Sequence, residues 1–299
     1  MLFPSEHQFA LIAAVAEHKG VTAAANALSI SQPAVTAQLQ SAERAFGTAL
    51  FVRSASGLRV TPAGDAVVAF VHRKERLKRT LLAELAELSA GISGVLVVGC
   101  STTPAEYYIP AWVRTFRKVY PKVDLRIWIG NSQTTLARLR EGAVDVAVIG
   151  LCPELPDLEC ETLAVEQIVP FTALGSAFDR RSVAPDSLRA ATFVVREPTS
   201  ATRMHGLKCL SQIGVVPQKL MEVSTNEAVI RMVEADLGVG LLSTRAIERG
   251  IKERRLAPVR IPRWNCEREL QLVSPKGSGN VLVARFRAIA TNRHASQTT

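Results

Sequence analysis

Residues 21–47 constrain this chain more than any other stretch. They read as two short helices joined by a tight turn. Ser31 is placed to cap the second helix, its hydroxyl accepting an orphan N–H of the first turn. Pro33 is tolerated in that turn, where its missing N–H costs nothing. Gly47 can take the left-handed conformation that ends a helix. Val35, Leu39, Ala42 and Phe46 form one apolar stripe at helical spacing. The other side carries Gln32, Thr36, Gln38, Gln40 and Arg44. An apolar back with an amide- and hydroxyl-rich front suits insertion into a DNA major groove. Val21, Ala24, Ala25 and Leu28 repeat at helical spacing upstream, as do Phe9, Ile12, Ala13 and Ala16. Three small helices with a shared core make a helix-turn-helix unit. An ordinary helical hairpin is the competing reading of these residues alone.

The next stretch of chain favours DNA. Leu50-Phe51-Val52-Arg53 and Leu58-Arg59-Val60 are short extended runs around the turn Ser54-Ala55-Ser56-Gly57. They predict a hairpin, or wing, with Arg53 and Arg59 near its tip to meet phosphate or the minor groove. Thr61-Pro62 then starts a helix predicted to reach about Ser89. Phe70, Leu77, Leu81, Leu85 and Leu88 line one side of it. So long a helix exceeds what the small preceding domain can cover, and pairing with its copy in a second chain is expected. The net charge of +9 suits an anionic partner. Between Arg44 and Arg79 eight Lys or Arg stand against Asp65 and Glu75, but residues 245–299 also hold twelve against four Glu. Basicity alone therefore does not locate the DNA site.

Residues 1–90 resemble the winged helix-turn-helix and linker helix of the LysR-type transcriptional regulators. The matching phrases are Ala23-Ala24-Ala25-Asn26-Ala27-Leu28, Ser31-Gln32-Pro33-Ala34-Val35-Thr36, Leu50-Phe51-Val52-Arg53 and Leu58-Arg59-Val60-Thr61-Pro62-Ala63-Gly64. Ser31, Gln32, Pro33, Thr36, Gln38 and Arg53 are the expected DNA-binding residues. Gln32 and Gln38 are expected to pair with adenine, Thr36 to touch a thymine methyl, and Arg53 to meet phosphate or the minor groove. The resemblance implies double-stranded promoter DNA as partner and a homo-oligomer, dimeric through the linker helix and tetrameric overall.

Around residues 90–94 the helical pattern stops and strands alternate with helices. Strands are predicted at 95–99, 123–129, 144–149, 192–195, 219–223, 239–242 and 269–273, with helices between. The alternation implies right-handed crossovers and a mainly parallel sheet. The expected organisation is a winged helix-turn-helix over 1–61, a linker helix over 62–90, and a two-lobe α/β domain over 91–299. Lobe I covers about 94–164 and 269–299, lobe II about 168–266, with crossings near Ala164–Gln167 and Cys266–Glu269. This resembles the family's effector-binding domain, itself similar to periplasmic binding proteins. The fold class is α/β with an α-rich N-terminal part.

Ligands of open α/β sheets sit at the carboxyl ends of strands, against helix N-termini. Reading those positions gives Ser101, Thr102, Thr103, Asn131, Ser132, Thr134, Ser200, Thr202, Arg203 and Asn226 as the candidate effector-binding set. Hydroxyls at positive helix ends with a planar cation suit a small anion, either a carboxylate, a phosphate or a sulfur oxyanion. Plain N-capping is the alternative for each residue singly. The phrase Arg196-Glu197-Pro198-Thr199-Ser200-Ala201-Thr202-Arg203 resembles Arg-Glu-Pro-Gly-Ser-Gly-Thr-Arg of the branch holding Calvin-cycle and sulfur-metabolism regulators. Thr199 and Ala201 stand where glycines are usual, so side chains crowd a bound anion there. Cys100, beside this set, is expected to be a buried inert thiol.

No nucleophile elbow, Walker loop or Gly-x-Gly-x-x-Gly phrase points to an enzyme or a nucleotide cofactor. The cysteines, at 100, 152, 160, 209 and 266, and the scattered histidines fit no zinc spacing or disulfide framework, so no cofactor or metal is expected. Residues 1–8 lack the basic start of a signal peptide, and no run approaches the ~18 apolar residues of a membrane span. A cytoplasmic protein without membrane partners is expected. A solute-binding protein or an enzyme with a helical N-terminal interaction module is the alternative.

Overall fold

The computed structural model describes residues 3–54, 57–89, 92–150, 156–179 and 182–291. The chain divides into two compact units, Met1–Leu82 with Arg140–Ala143, and Ala83–Leu139 with Val144–Thr299. Among the described residues no helix is long and apolar enough to cross a membrane.

The first unit begins with α1 (Glu6–His18), opened by a capping box in which Ser5 and Gln8 each receive the other's backbone N–H. α2 (Val21–Leu28) and α3 (Gln32–Phe46) follow. Leu11, Ile12, Val15, Ala24, Ala25, Val35, Leu39 and Ala42 form their common core, and the two alanines let α2 approach closely. β1 (Phe51–Ser54) and β2 (Gly57–Val60) pair antiparallel, with Arg53 opposite Leu58 and Val52 opposite Arg59. The wing tip, Ala55-Ser56, lies outside the described residues. Glu43 fastens the wing to α3 by accepting from Leu50 N at 2.7 Å and Phe51 N at 3.3 Å. α4 (Pro62–Ser89) starts under Thr61, whose hydroxyl accepts from Gly64 N at 3.0 Å. A Cβ at Gly64 would run into the Leu50 carbonyl, so glycine sets how closely α4 meets the wing. Further along, Leu77, Leu81 and Leu85 are 67, 54 and 51% exposed. Phe70, 39% exposed, also sits beside Phe9, ring centroids 5.4 Å apart. The Leu88 side chain and the expected hinge at Ala90-Gly91 lie outside the described residues.

The second unit opens with β3 (Gly94–Ser101), α5 (Thr102–Tyr107), α6 (Ile109–Val119), β4 (Val123–Gly130), α7 (Ser132–Glu141) and β5 (Val146–Ile149). One helix, over Tyr107–Tyr120, is expected between β3 and β4; it is α6, and the short α5 precedes it. Pro110 separates the two, because it has no N–H to carry on the bonding of α5 and is at home in the first turn of α6. β6 (Leu158–Ala173) then runs out of this lobe. α8 (Pro185–Leu188), β7 (Thr192–Arg196), α9 (Ala201–Gln212), β8 (Lys219–Val223), α10 (Asn226–Glu234), β9 (Val239–Ser243), α11 (Thr244–Lys252) and β10 (Leu256–Pro258) build the second lobe. β11 (Glu267–Pro275) returns to the first lobe, and α12 (Val281–Thr291) closes the described chain.

The strand order is β4-β3-β5-β11-β6-β9-β7-β8, with β10 beside β6. The sheet is mixed, which corrects the expectation of a mainly parallel one. β4-β3-β5 and β8-β7-β9 are parallel, while β6 and β11 join them antiparallel. The cause is topological: a strand that crosses out of one lobe and a strand that crosses back run oppositely. Each lobe has its own core, around Leu96, Phe116 and Phe286 in the first and Phe193, Leu210 and Leu241 in the second.

Candidate functional site

On α3, Ser31 Oγ accepts from Ala34 N at 3.3 Å, and Pro33 sits in the first turn. Val35, Leu39 and Ala42 are buried, while Ser31, Gln32, Pro33, Thr36, Gln38, Gln40 and Arg44 are exposed. Gln32, Pro33, Thr36, Ala37 and Gln40 share one shallow concave surface. Thr36 donates its hydroxyl to the Gln32 carbonyl at 3.0 Å. Gln38 is also exposed, but it lies two residues beyond Thr36 and so about 160° away around the helix. The residue that joins Gln32 and Thr36 on one face is Gln40. The wing register puts Arg53 and Arg59 on opposite faces of the ribbon, both exposed.

In the second unit a narrow cleft is lined by Ser101, Thr102, Thr103, Asn131, Ser132, Arg196, Glu197, Ser200, Ala201, Thr202 and Arg268. Seven of the ten candidate residues meet there; Thr134, Arg203 and Asn226 do not. Ser101 ends β3, and no side-chain cap bond engages it. Asn131 caps α7, its Oδ1 accepting from Thr134 N at 2.9 Å, and its Nδ2 reaches across to Thr199 Oγ1 at 3.1 Å. Thr134 is exposed and bonded back to Asn131. Arg203 points elsewhere, donating to Glu222 at 2.7 Å and to the Arg196 carbonyl at 2.9 Å. Asn226 is buried behind the cleft, between Arg196 and the Glu106 carboxylate.

The cations at the cleft are Arg196 and Arg268, absent from the candidate set, and Glu197 lines it beside them. Arg196 forms a two-pronged pair with Glu197 at 2.9 and 3.1 Å and donates to Thr102 Oγ1 at 3.3 Å. Arg268 donates to Glu166 at 2.7 and 3.1 Å and to Thr202 Oγ1 at 2.7 Å. Arg196 could have been found as a cation ending an apolar strand. Arg268 could not, because Glu166 is 102 residues away and the two meet only where β6 and β11 pair. The Ser132 hydroxyl is buried and has no hydrogen-bond partner among the described residues. The free volume is about 10 Å³, room for roughly one water. A larger ligand enters only if the lobes part, which separates Asn131 from Thr199 and Arg196 from Thr102. Burial pushes the Cys100 thiol up to about 12, which keeps it protonated and unreactive at neutral pH.

This architecture has relatives. Residues 7–65 match the family described as bacterial regulatory helix-turn-helix protein, lysR family, and residues 89–295 match the LysR substrate binding domain. A RuBisCO operon transcriptional regulator of Acidithiobacillus ferrooxidans is 30% identical over 91% of this chain and 88% of its own. Full-length CbnR, solved in complex with its target DNA, superposes with a TM-score of 0.68 at 21% identity, over 97% of this chain and 99% of that one. The regulatory domain of Synechocystis PCC6803 CcmR, solved in complex with 2-PG, gives a TM-score of 0.60 at 18% identity, over 67% of this chain and 98% of that one. With a DNA-reading head of one kind and a two-lobe ligand domain of the matching kind in a single chain, the protein belongs to the LysR family of transcriptional regulators.

Proposed function

We propose that this regulator reads a promoter through α3 and the wing, and that a small anion held in the cleft controls its activity. Gln32, Thr36 and Gln40 meet base edges, Ser31 and Pro33 set the start of the helix at the groove, and Arg53 meets phosphate. Gln38 is placed at the flank of the interface. The exposed leucines of α4 pair with a second copy of the chain. We read the chain as a cytoplasmic regulator rather than an enzyme, because its relatives regulate transcription.

The observation that carries the ligand reading is the buried Ser132 hydroxyl, which has no hydrogen-bond partner among the described residues. Buried polar groups are nearly always satisfied, and one that is not calls for an unseen partner. Around it stand Ser101, Thr103 and the first turn of α9, where N–H groups and the helix dipole favour negative charge. The binding of 2-PG to the CcmR regulatory domain supports an anion of the carboxylate or phosphate class; a sulfur oxyanion has the same acceptor chemistry. Control by such a ligand requires that it prefer one arrangement of the lobes over the other.

Thermal-shift screening of small anions, followed by a gel shift with the adjacent intergenic DNA, tests the reading. Stabilisation by one anion class that also changes DNA binding supports it. Failure to bind any duplex at low ionic strength would refute the DNA reading, and indifference to every anion would refute the ligand reading.

A further inference from the structure

His205 and Cys209 lie four residues apart on α9, and therefore on one face of it. Cys266 immediately precedes β11, so the fold carries it to that face from far along the chain. One ring nitrogen of His205 and the sulfurs of Cys209 and Cys266 all lie within 4.8 Å of one another. We propose that these three side chains form a site for a thiophilic cation, zinc(II) being the prime candidate.

The geometry fits the chemistry. Zinc bonds of about 2.3 Å to sulfur and about 2.0 Å to nitrogen, at tetrahedral angles, place ligand atoms roughly 3.5–3.8 Å apart. Small side-chain rotations close the remaining gap. His205 Nε2 stands 2.7 Å from the Glu267 carbonyl. A carbonyl only accepts, so Nε2 carries the proton and Nδ1 the lone pair. An imidazole N–H held by a backbone carbonyl is the usual outer support of a metal-bound histidine. Both thiols are buried, and His205 is only half-buried, which leaves an approach for the cation. Three protein ligands leave one position for water.

The rival reading is a Cys209–Cys266 disulfide. It gives no role to the histidine, and it needs a reactive thiolate. A bound cation gives all three side chains a role, taking each sulfur as its thiolate and releasing the thiol proton. The cation would tie α9, whose Thr202 lines the cleft, to β11, which carries Arg268.

The full-length protein, reduced and stripped with a chelator, is titrated with zinc against a chromophoric chelator, and with cobalt(II) for its spectrum. The expected result is one zinc per chain and a sulfur-to-cobalt charge-transfer band. Cys209→Ser, Cys266→Ser and His205→Gln should each weaken zinc binding by about 10-fold or more. Cys160→Ser should leave it unchanged. His205→Gln, at a half-buried helix position, keeps the test decisive if a cysteine variant fails to fold. A wild-type protein that retains no zinc, or binding that survives all three substitutions, would overturn the proposal. So would a Cys209–Cys266 disulfide that forms in air equally well with zinc present.

Discussion

Arg268 and Glu166 face each other across the pairing of β11 with β6, where the chain crosses between lobes, and both are almost wholly buried. Two guanidinium N–H groups bind one carboxylate oxygen, Ser243 donates to the other at 3.0 Å, and Thr202 takes a third guanidinium donor. Each charge is thus paired and also hydrogen-bonded, the condition under which burying an ion pair is tolerable.

Removing one partner should therefore be costly. Glu166→Ala leaves an uncompensated buried guanidinium, and a loss of about 3–5 kcal/mol is expected. Replacing both residues by apolar ones of similar size, as in Glu166→Leu with Arg268→Met, should cost much less. Urea denaturation of the three proteins separates the cases; equal losses in the single and double variants would contradict the account.

At the DNA interface, Gln40→Ala is expected to relax preference at one base pair, with a cost of about 1–3 kcal/mol for the preferred site. Gln38→Ala should leave preference intact, since Gln38 lies on the far flank of α3. Binding selections with randomised operators distinguish the two, and a preference change in the Gln38 variant alone would reverse the assignment.

Arg53→Ala should weaken binding about equally on all sequences and reduce the salt slope by about one. Titrations over a range of salt concentrations, on specific and unrelated duplexes, measure both effects. A sequence-selective loss would move Arg53 from the backbone to the bases.

Ser132→Ala removes a buried hydroxyl that has no protein partner among the described residues. The ligand-free protein should be as stable as the wild type or slightly more so, because no bond is lost and a desolvation penalty disappears. Anion affinity should fall by roughly 10-fold, in line with about 1.5 kcal/mol for one hydrogen bond. Calorimetry and thermal shift read the two effects separately, and unchanged affinity would remove Ser132 from the ligand.

Leu81→Glu together with Leu85→Glu should abolish the pairing made through α4 and lower the mass of the assembly. Both leucines stand about half exposed on α4, and circular dichroism checks that the variant is folded. Sedimentation velocity gives the mass, and an assembly of wild-type mass would place the interface elsewhere.

Short-range patterns were legible from the residues themselves. The caps Ser31 and Gly47, the stripe Val35-Leu39-Ala42 and the start of α4 at Pro62 follow from local hydrogen bonding and helical spacing. The same reasoning located the hydroxyls of Ser101, Ser132, Ser200 and Thr202 at strand ends. It also enrolled Arg203, because a cation near a helix start resembles a ligand group whether it turns inward or outward. Only the surroundings decide that, and Glu222 draws it outward.

The sequence by itself determined most of the helices and strands, though not β6 or β10, together with the apolar faces of the N-terminal helices and the family phrases the chain carries. These properties rest on neighbours within a few residues. Tertiary structure alone decided that Arg268 meets Glu166 and lines the cleft, and that His205 and Cys209 meet Cys266. The physical reason is distance along the chain. A crossing strand brings together groups some 60 to 100 residues apart, and nothing in the local spacing of either partner records the other.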